Sequence, residues 1–257
     1  MSEKVIACYK WVRDETDIRF DDDLRPDFSK AGYKISDYDR NAIEAAVQAA
    51  KQMEYAIPAG VTAGPAQAVS SMRDALSRGL EEAFHVNTGD VQYTDYRLTA
   101  DALAKGIEAA GGAVLAICAE GSSDLYGQQT ASRLGVTLGW PIITAVVAFE
   151  IRGRSLRATR KLENCLETVE AELPAVIAVT PEINTPELPG MRAIIAAKRK
   201  PQRDIPLADL SISTEPSVKV EGIKGYQSDR KRIIFEHPEA SENVRLFAAA
   251  LKKEGVM

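Results

Sequence analysis

The sequence predicts an α/β protein with a mostly parallel sheet, flanking helices, an antiparallel strand extension and an extended C-terminal arm. Three observations predict it. Short apolar runs, Val5 to Tyr9, Val114 to Cys118 and Ala175 to Val179, have the length and composition of strands buried on both faces. Ala-rich segments with helical periodicity lie between the first two. After Trp140-Pro141 the alternation gives way to strand-like runs joined by short links.

In chain order, Val5 to Tyr9 is the first strand and Asn41 to Met53 the first helix. Pro65 to Gly79 places Ala68, Met72, Ala75 and Leu76 on one helical face, with Pro65 near the first turn and Gly79 past the end. Ala83 to Val86 is a short strand, Arg97 to Ala110 another helix, and Val114 to Cys118 a further parallel strand. Ile142 to Ile151, Ser155 to Arg160 and Cys165 to Glu170 form the antiparallel extension, with a tight link at Arg152-Gly-Arg154. Three prolines and a glycine make Thr180 to Gly190 a surface loop. From Lys198 to about Gln227 the chain is polar, and Pro238 to Lys253 carries Val244, Phe247, Ala248 and Leu251 at helical spacing. The expected division is an α/β unit over 1–200, including the loop 181–192, and an arm over 201–257.

With 257 residues, 45% of them hydrophobic, the chain is long enough to bury a full core. A formal charge of -5 argues against a nucleic-acid partner, because phosphate contacts need clustered Lys and Arg. No segment approaches the ~20 apolar residues that span a bilayer and the N-terminus has no apolar leader, so the expectation is a cytoplasmic protein without direct membrane insertion. Cys8, Cys118 and Cys165 are odd in number and far apart, which speaks against a disulfide framework or a zinc site.

In open parallel sheets, ligands collect beyond the carboxyl ends of the strands. Four loops qualify: Cys8 to Val12, Lys34 to Asp39 before the Asn41 helix, Ala63-Gly64-Pro65, and Ala119 to Thr130. In the fourth, Gly121, Ser122 and Ser123 let backbone amides approach a ligand, and Asp124 either caps the next helix or accepts from a hydroxyl. An ordinary strand-to-helix turn with an Asp cap explains the same residues. Neither Gly-x-Gly-x-x-Gly nor a P-loop is present. His85 and His237 lack an orienting acid, read as surface residues, and give no acyl-transfer constellation, so no catalytic residue and no metal ligand is expected. Trp11 and Tyr126 are read as packing residues.

Taken together, the order and spacing of several segments resemble the beta subunit of electron transfer flavoproteins, most closely the Fix-type members. They are Val5-Ile-Ala-Cys-Tyr-Lys-Trp-Val12, Lys34-Ile-Ser-Asp-Tyr-Asp-Arg-Asn-Ala-Ile-Glu-Ala-Ala46, Ala63-Gly-Pro-Ala-Gln67, Gly121-Ser-Ser-Asp-Leu-Tyr-Gly-Gln-Gln-Thr130, Leu173-Pro-Ala-Val176, and Ile183-Asn-Thr-Pro186 leading to Met191-Arg-Ala-Ile-Ile-Ala-Ala-Lys-Arg-Lys200. The resemblance implies a Rossmann-like, adenine-nucleotide-binding sheet and an electron carrier in place of an enzyme. It implies an alpha subunit carrying FAD, with which the chain forms a heterodimer, and AMP or a second FAD in this subunit. By position the nucleotide residues are Cys8, Ser36, Asp37, Tyr38, Asp39, Ala63, Ala119, Gly121, Ser122, Ser123, Asp124, Gly127, Gln128, Gln129 and Thr130. Relatives with an Asp-Gly-Asp-Thr stretch in this loop differ from the Asp124-Leu-Tyr-Gly127 found here.

The resemblance makes 181–192 a recognition loop that docks an acyl-CoA dehydrogenase or other flavoprotein through Met191, with Leu188, Ile194 and Ile195 beside it. It implies a quinone oxidoreductase or ferredoxin as further partners. Lys161 stands where relatives coupled to acyl-CoA dehydrogenases carry a Glu in the hairpin. The competing readings are an adenine-nucleotide-binding enzyme or regulator of similar fold, and a scaffold that holds no ligand.

Overall fold

A computed structural model describes residues 3–89, 95–227 and 230–257. In chain order the elements are β1 (Lys4–Cys8), β2 (Trp11–Arg13), β3 (Arg19–Phe20), β4 (Pro26–Asp27), β5 (Tyr33–Ile35), α1 (Asp37–Gln52), β6 (Ile57–Gly64), α2 (Ser71–Ser77), β7 (Glu82–Asn87) and α3 (Tyr96–Ala109). They continue with β8 (Leu115–Ala119), α4 (Thr130–Leu138), β9 (Ile142–Arg152), β10 (Ser155–Lys161), β11 (Leu166–Glu172), β12 (Ala175–Val179), α5 (Met191–Ala197), β13 (Gln202–Pro206) and α6 (Ala240–Lys253).

Nine strands form one sheet in the order β11-β10-β9-β12-β8-β1-β6-β7-β13. From β9 to β13 the pairs are parallel, and β10 and β11 are antiparallel, as the alternating sequence predicts. The order reverses at β1: the chain runs outward through β6 and β7, then returns to place β8 on the other side of β1. That reversal leaves a crevice at the carboxyl ends of β1 and β8.

The apolar runs form strands because both sheet faces are covered. In β1, Val5 and Ala7 join the core under α1 and α2, while Ile6 and Cys8 join the core under α3 and α4. Leu115 and Ile117 of β8 go to the first face, Ala116 and Cys118 to the second, the two-residue alternation of a strand. Ile6, Ile117 and Ile177 have no exposed surface, and each such side chain contributes roughly 1.5–3 kcal/mol of burial. Small residues let the helices sit close. A Cβ on Gly106 of α3 would stand 2.6 Å from Val61 of β6.

Several boundaries differ from the expectation. Helix α1 begins at Asp37, four residues before Asn41, so Asp37 and Asp39 occupy its first turn, where carboxylates suit the helix dipole. The helix expected over Pro65 to Gly79 is a 3-10 turn, Ala66–Ser70, followed by the short α2. Ser71 Oγ bonds back to the Ala68 carbonyl at 2.5 Å at that junction, a contact that bends helices. Gly79 nevertheless ends the segment at φ 105°, which a side chain would resist.

Met191 is the first residue of α5 and not part of a loop. The polar stretch after Lys198 contains β13, which pairs with β7 as an edge strand and extends the sheet beyond residue 200. His85 is fully buried, against the surface position expected, with Nδ1 2.8 Å from Asp204 and Nε2 3.1 Å from the Gly64 carbonyl. Among the described residues no helix is long and apolar enough to cross a membrane.

Candidate functional site

At the reversal between β1 and β8 lies a cleft partly open to solvent. Its floor is Cys8 and Cys118, which face each other in register on neighbouring strands. Contact with Cys8 and burial push the Cys118 thiol above its ordinary range. The loop from Ala119 to Thr130 forms one wall, and Tyr96, Thr99 and Leu103 of α3 another.

That loop is held in a conformation its side chains resist. Tyr126 and Gln128 have φ of 45° and 53°, values costly for residues with a Cβ. Three contacts hold the turn: Tyr126 N–H donates to the Ser122 carbonyl at 3.0 Å, its hydroxyl donates to Glu120 at 2.7 Å, and its ring meets Tyr38 at 5.1 Å between centroids. Burial and the Glu120 carboxylate raise the Tyr126 phenol to about 12. The ring also lies over Gly121, where a Cβ would be 2.7 Å away, and Gly127 sits under Tyr96 with room for no Cβ at all, 2.0 Å from its hydroxyl.

Behind the cleft, polar groups tie three loops together. Ser123 N–H donates to Ser36 Oγ at 3.2 Å, the Ser36 hydroxyl bonds Asp39, and Lys10 N–H donates to Asp39 at 2.8 Å. Burial pushes the Asp39 carboxyl up to about 7, with the Lys10 N–H opposing it. At the rim, Lys10 Nζ meets Asp124 at 2.6 Å, and Asp124 also accepts from Ser122 Oγ at 2.5 Å. Burial alone would raise the Asp124 carboxyl, but the Lys10 ammonium outweighs it and holds the group below its usual range.

A second, apolar cleft adjoins the first and shares Lys10 and Ala63 with it. Trp11, Phe20, Phe28, Tyr33 and Leu125 line it. Trp11 stacks parallel to Tyr33 at 6.3 Å between centroids, and the Arg13 guanidinium stands 4.2 Å over the Tyr33 ring. The segment between β1 and α1 that builds this cleft forms two small two-stranded sheets, β2 with β5 and β3 with β4, which the sequence reading leaves without structure.

Of the residues expected at the site, Cys8, Asp39, Ala63, Ala119, Gly121, Ser122, Gly127, Gln128, Gln129 and Thr130 line the first cleft, and Ser123 and Asp124 line the second. Ser36, Asp37 and Tyr38 line neither. Ser36 is buried behind the loop, Asp37 turns outward to Lys34 at 2.9 Å and Arg40 at 2.7 Å, and Tyr38 supports Tyr126. Tyr9, Lys10 and Glu120, which lie in the expected loops after β1 and β8, also line the first cleft, and Tyr96, Thr99, Leu103 and Cys118 join it from outside those loops. Cys118 and Glu120 flank Ala119 at the end of β8 and were accessible from the strand alone; the α3 residues needed the packing of α3 on the sheet.

Leu188 and Met191 are 87% and 71% exposed, and Ile194 and Ile195 also face outward. Lys161 pairs with Glu182 at 2.6 Å, which ties the hairpin tip to the segment preceding the exposed Leu188 and Met191. Cys8, Cys118 and Cys165 are free thiols, and among the described residues no group of three His, Cys, Asp or Glu gathers to hold a metal ion.

Residues 27–210 match the electron transfer flavoprotein domain. That span runs from β4 to the short turn after β13 and takes in the loops of both clefts except those that follow β1 and the arm segment Ile223-Lys224. With more than half of its length matched, the chain belongs to the electron transfer flavoprotein family.

Proposed function

We propose that this protein is a Fix-type beta subunit of an electron transfer flavoprotein, holding an adenine nucleotide in the first cleft and joining an FAD-bearing alpha subunit. The adjoining pair of clefts carries this reading. A mononucleotide such as AMP needs the first alone, whereas a second FAD has an apolar, planar ring that calls for an apolar, aromatic space next to its adenosine site. The second cleft is such a space, which favours FAD over AMP here.

The residues present fit a nucleotide. Ser123 Oγ, at the wall of the second cleft, is buried without a hydrogen-bond partner, a cost that a polar atom of a ligand reaching from the first cleft into the second removes. Lys10, between the clefts, Ser122 of the loop, and Gln128 and Gln129 at the N-terminus of α4 supply cationic and neutral donors for phosphate. FAD, when bound, supplies reversible electron uptake. The chain's own part is to bind it, orient it and exclude water from one face.

The arm supports the heterodimer. Helix α6 has no buried residue, and Val244, Phe247, Ile233 and Ile234 stand exposed, so an apolar face awaits a partner. Leu188 and Met191 form a second exposed apolar pair suited to docking an acyl-CoA dehydrogenase or other flavoprotein, with a quinone oxidoreductase or ferredoxin as acceptor.

Mass spectrometry of the denatured protein, purified alone and after co-production with its alpha subunit, tests the reading. FAD released from the lone chain and a stable heterodimer on co-production are expected. Release of no adenine nucleotide from either preparation would overturn it.

A further inference from the structure

The chain beyond β13 is tied back to the start of α3 and, farther on, to the wall of the second cleft. Arg97 Nη2 donates to the carbonyls of Ser213 at 3.5 Å and Glu215 at 2.6 Å. Asp95, which caps α3 through the N–H groups of Arg97 and Leu98, also accepts the Ser217 N–H at 2.7 Å and its hydroxyl at 3.0 Å. Farther on, Gly225 N–H donates to the Leu24 carbonyl at 2.7 Å. Gly225 lies so close to Phe20 that a Cβ would stand 2.8 Å from its ring. Just before this second tie, Ile223 and Lys224 line the second cleft opposite the β2–β5 segment.

We infer that the arm is part of the ligand site. Ile223 and Lys224 are specificity-determining residues for a dinucleotide of the FAD class, and the Phe20–Gly225 contact is what positions them. This rests on the first cleft being an adenine-nucleotide site. A mononucleotide confined to the first cleft touches neither residue. A ligand whose ring system enters the second buries apolar surface against Ile223 and meets Lys224, so the arm discriminates between the two by what it adds to the longer one. Linkage then runs both ways: displacing the arm weakens the longer ligand, and that ligand holds the arm down.

The test uses the full chain, titrated calorimetrically with FAD and with AMP, and compared with Gly225→Val and Ile223→Asp. The first variant pushes the arm off Phe20, and the second puts a carboxylate into the cleft wall. Each is expected to lose about tenfold in FAD affinity, the order set by one apolar side chain leaving contact, with AMP affinity unchanged. FAD, but not AMP, is expected to slow trypsin cleavage after Lys224 in the unmodified chain.

If both variants keep full FAD affinity, the arm is no part of the site and the inference fails. Equal loss of FAD and AMP overturns it too, because the effect is then not selective. A chain that binds FAD tightly but ignores both substitutions sinks the arm alone. A chain that binds neither nucleotide sinks the underlying reading with it.

Discussion

Ser36 stands at the N-cap position of α1, yet its side chain makes no capping bond and instead accepts the N–H of Ser123 at 3.2 Å, across the cleft loops. A residue that normally stabilises a helix end here holds the loop that walls the first cleft. The substitution Ser36→Ala strands the Ser123 N–H in a site with no exposed surface at Ser36, and is expected to cost roughly 1–3 kcal/mol by urea unfolding. Nucleotide affinity should fall with it. A variant as stable as the parent would show that the bond contributes nothing.

Asp39 sets a pH dependence whose sign follows from its burial. Its carboxyl is raised from 3.8 to about 7 in the folded chain, so folding favours the protonated form. That contribution is complete below about pH 4, the unfolded value, and is lost as pH rises through about 7. Asp39→Asn keeps an acceptor for the Lys10 N–H but does not ionise. Unfolding midpoints of the parent are expected to fall between pH 5 and pH 8 relative to those of the variant, by a free energy on the order of a few kcal/mol. Parallel profiles for the two proteins would refute this.

How much of this was legible in the sequence depends on what each feature rests on. Buried strands such as Ala175–Val179 announce themselves because every residue must be apolar when both faces are covered. β13 did not, since Gln202, Arg203 and Asp204 lie on an edge strand where most side chains meet solvent. The segment from Trp11 to Ile35 is stabilised by local turns such as the Asp21 side chain accepting from Arg25 N–H at 2.8 Å, and by aromatic packing of residues far apart in sequence. Neither leaves a period to read. Loop residues at the carboxyl ends of strands were legible by position, whereas Tyr96 and Leu103 enter the first cleft through the docking of α3, which no local pattern encodes.

Gly127 tests how tightly the loop is built. Its missing Cβ would lie 2.0 Å from Tyr96 Oη, so Gly127→Ala must move either the loop or the α3 tyrosine. Overpacking of this kind costs typically 1–3 kcal/mol, and because it falls on the cleft wall, nucleotide affinity is expected to drop at least about tenfold. Adding Tyr96→Ala removes the clash and should restore part of the loss, the non-additivity expected of residues in contact. Strict additivity in calorimetric titrations would show that the clash is not the cause.

Asp95 joins two functions that can be separated by experiment. It caps α3, and it accepts two bonds from Ser217 of the arm. Burial would raise its carboxyl, but the N–H groups of Ser217, Leu98 and Arg97 together with the Ser217 hydroxyl outweigh it and hold the group below its ordinary range. The resulting stabilisation is present above the unfolded carboxylate range and is lost as pH falls through the lower folded value. Asp95→Ala removes both the cap and the arm tie, and is expected to cost about 1–2 kcal/mol from the cap alone. Asp95→Ser can restore the cap without reaching Ser217 as a carboxylate does, so it should recover much of the unfolding free energy at neutral pH while leaving the arm as sensitive to protease as Asp95→Ala does. Recovery of both properties together would mean that the arm depends on the stability of α3 and not on the carboxylate that grips it.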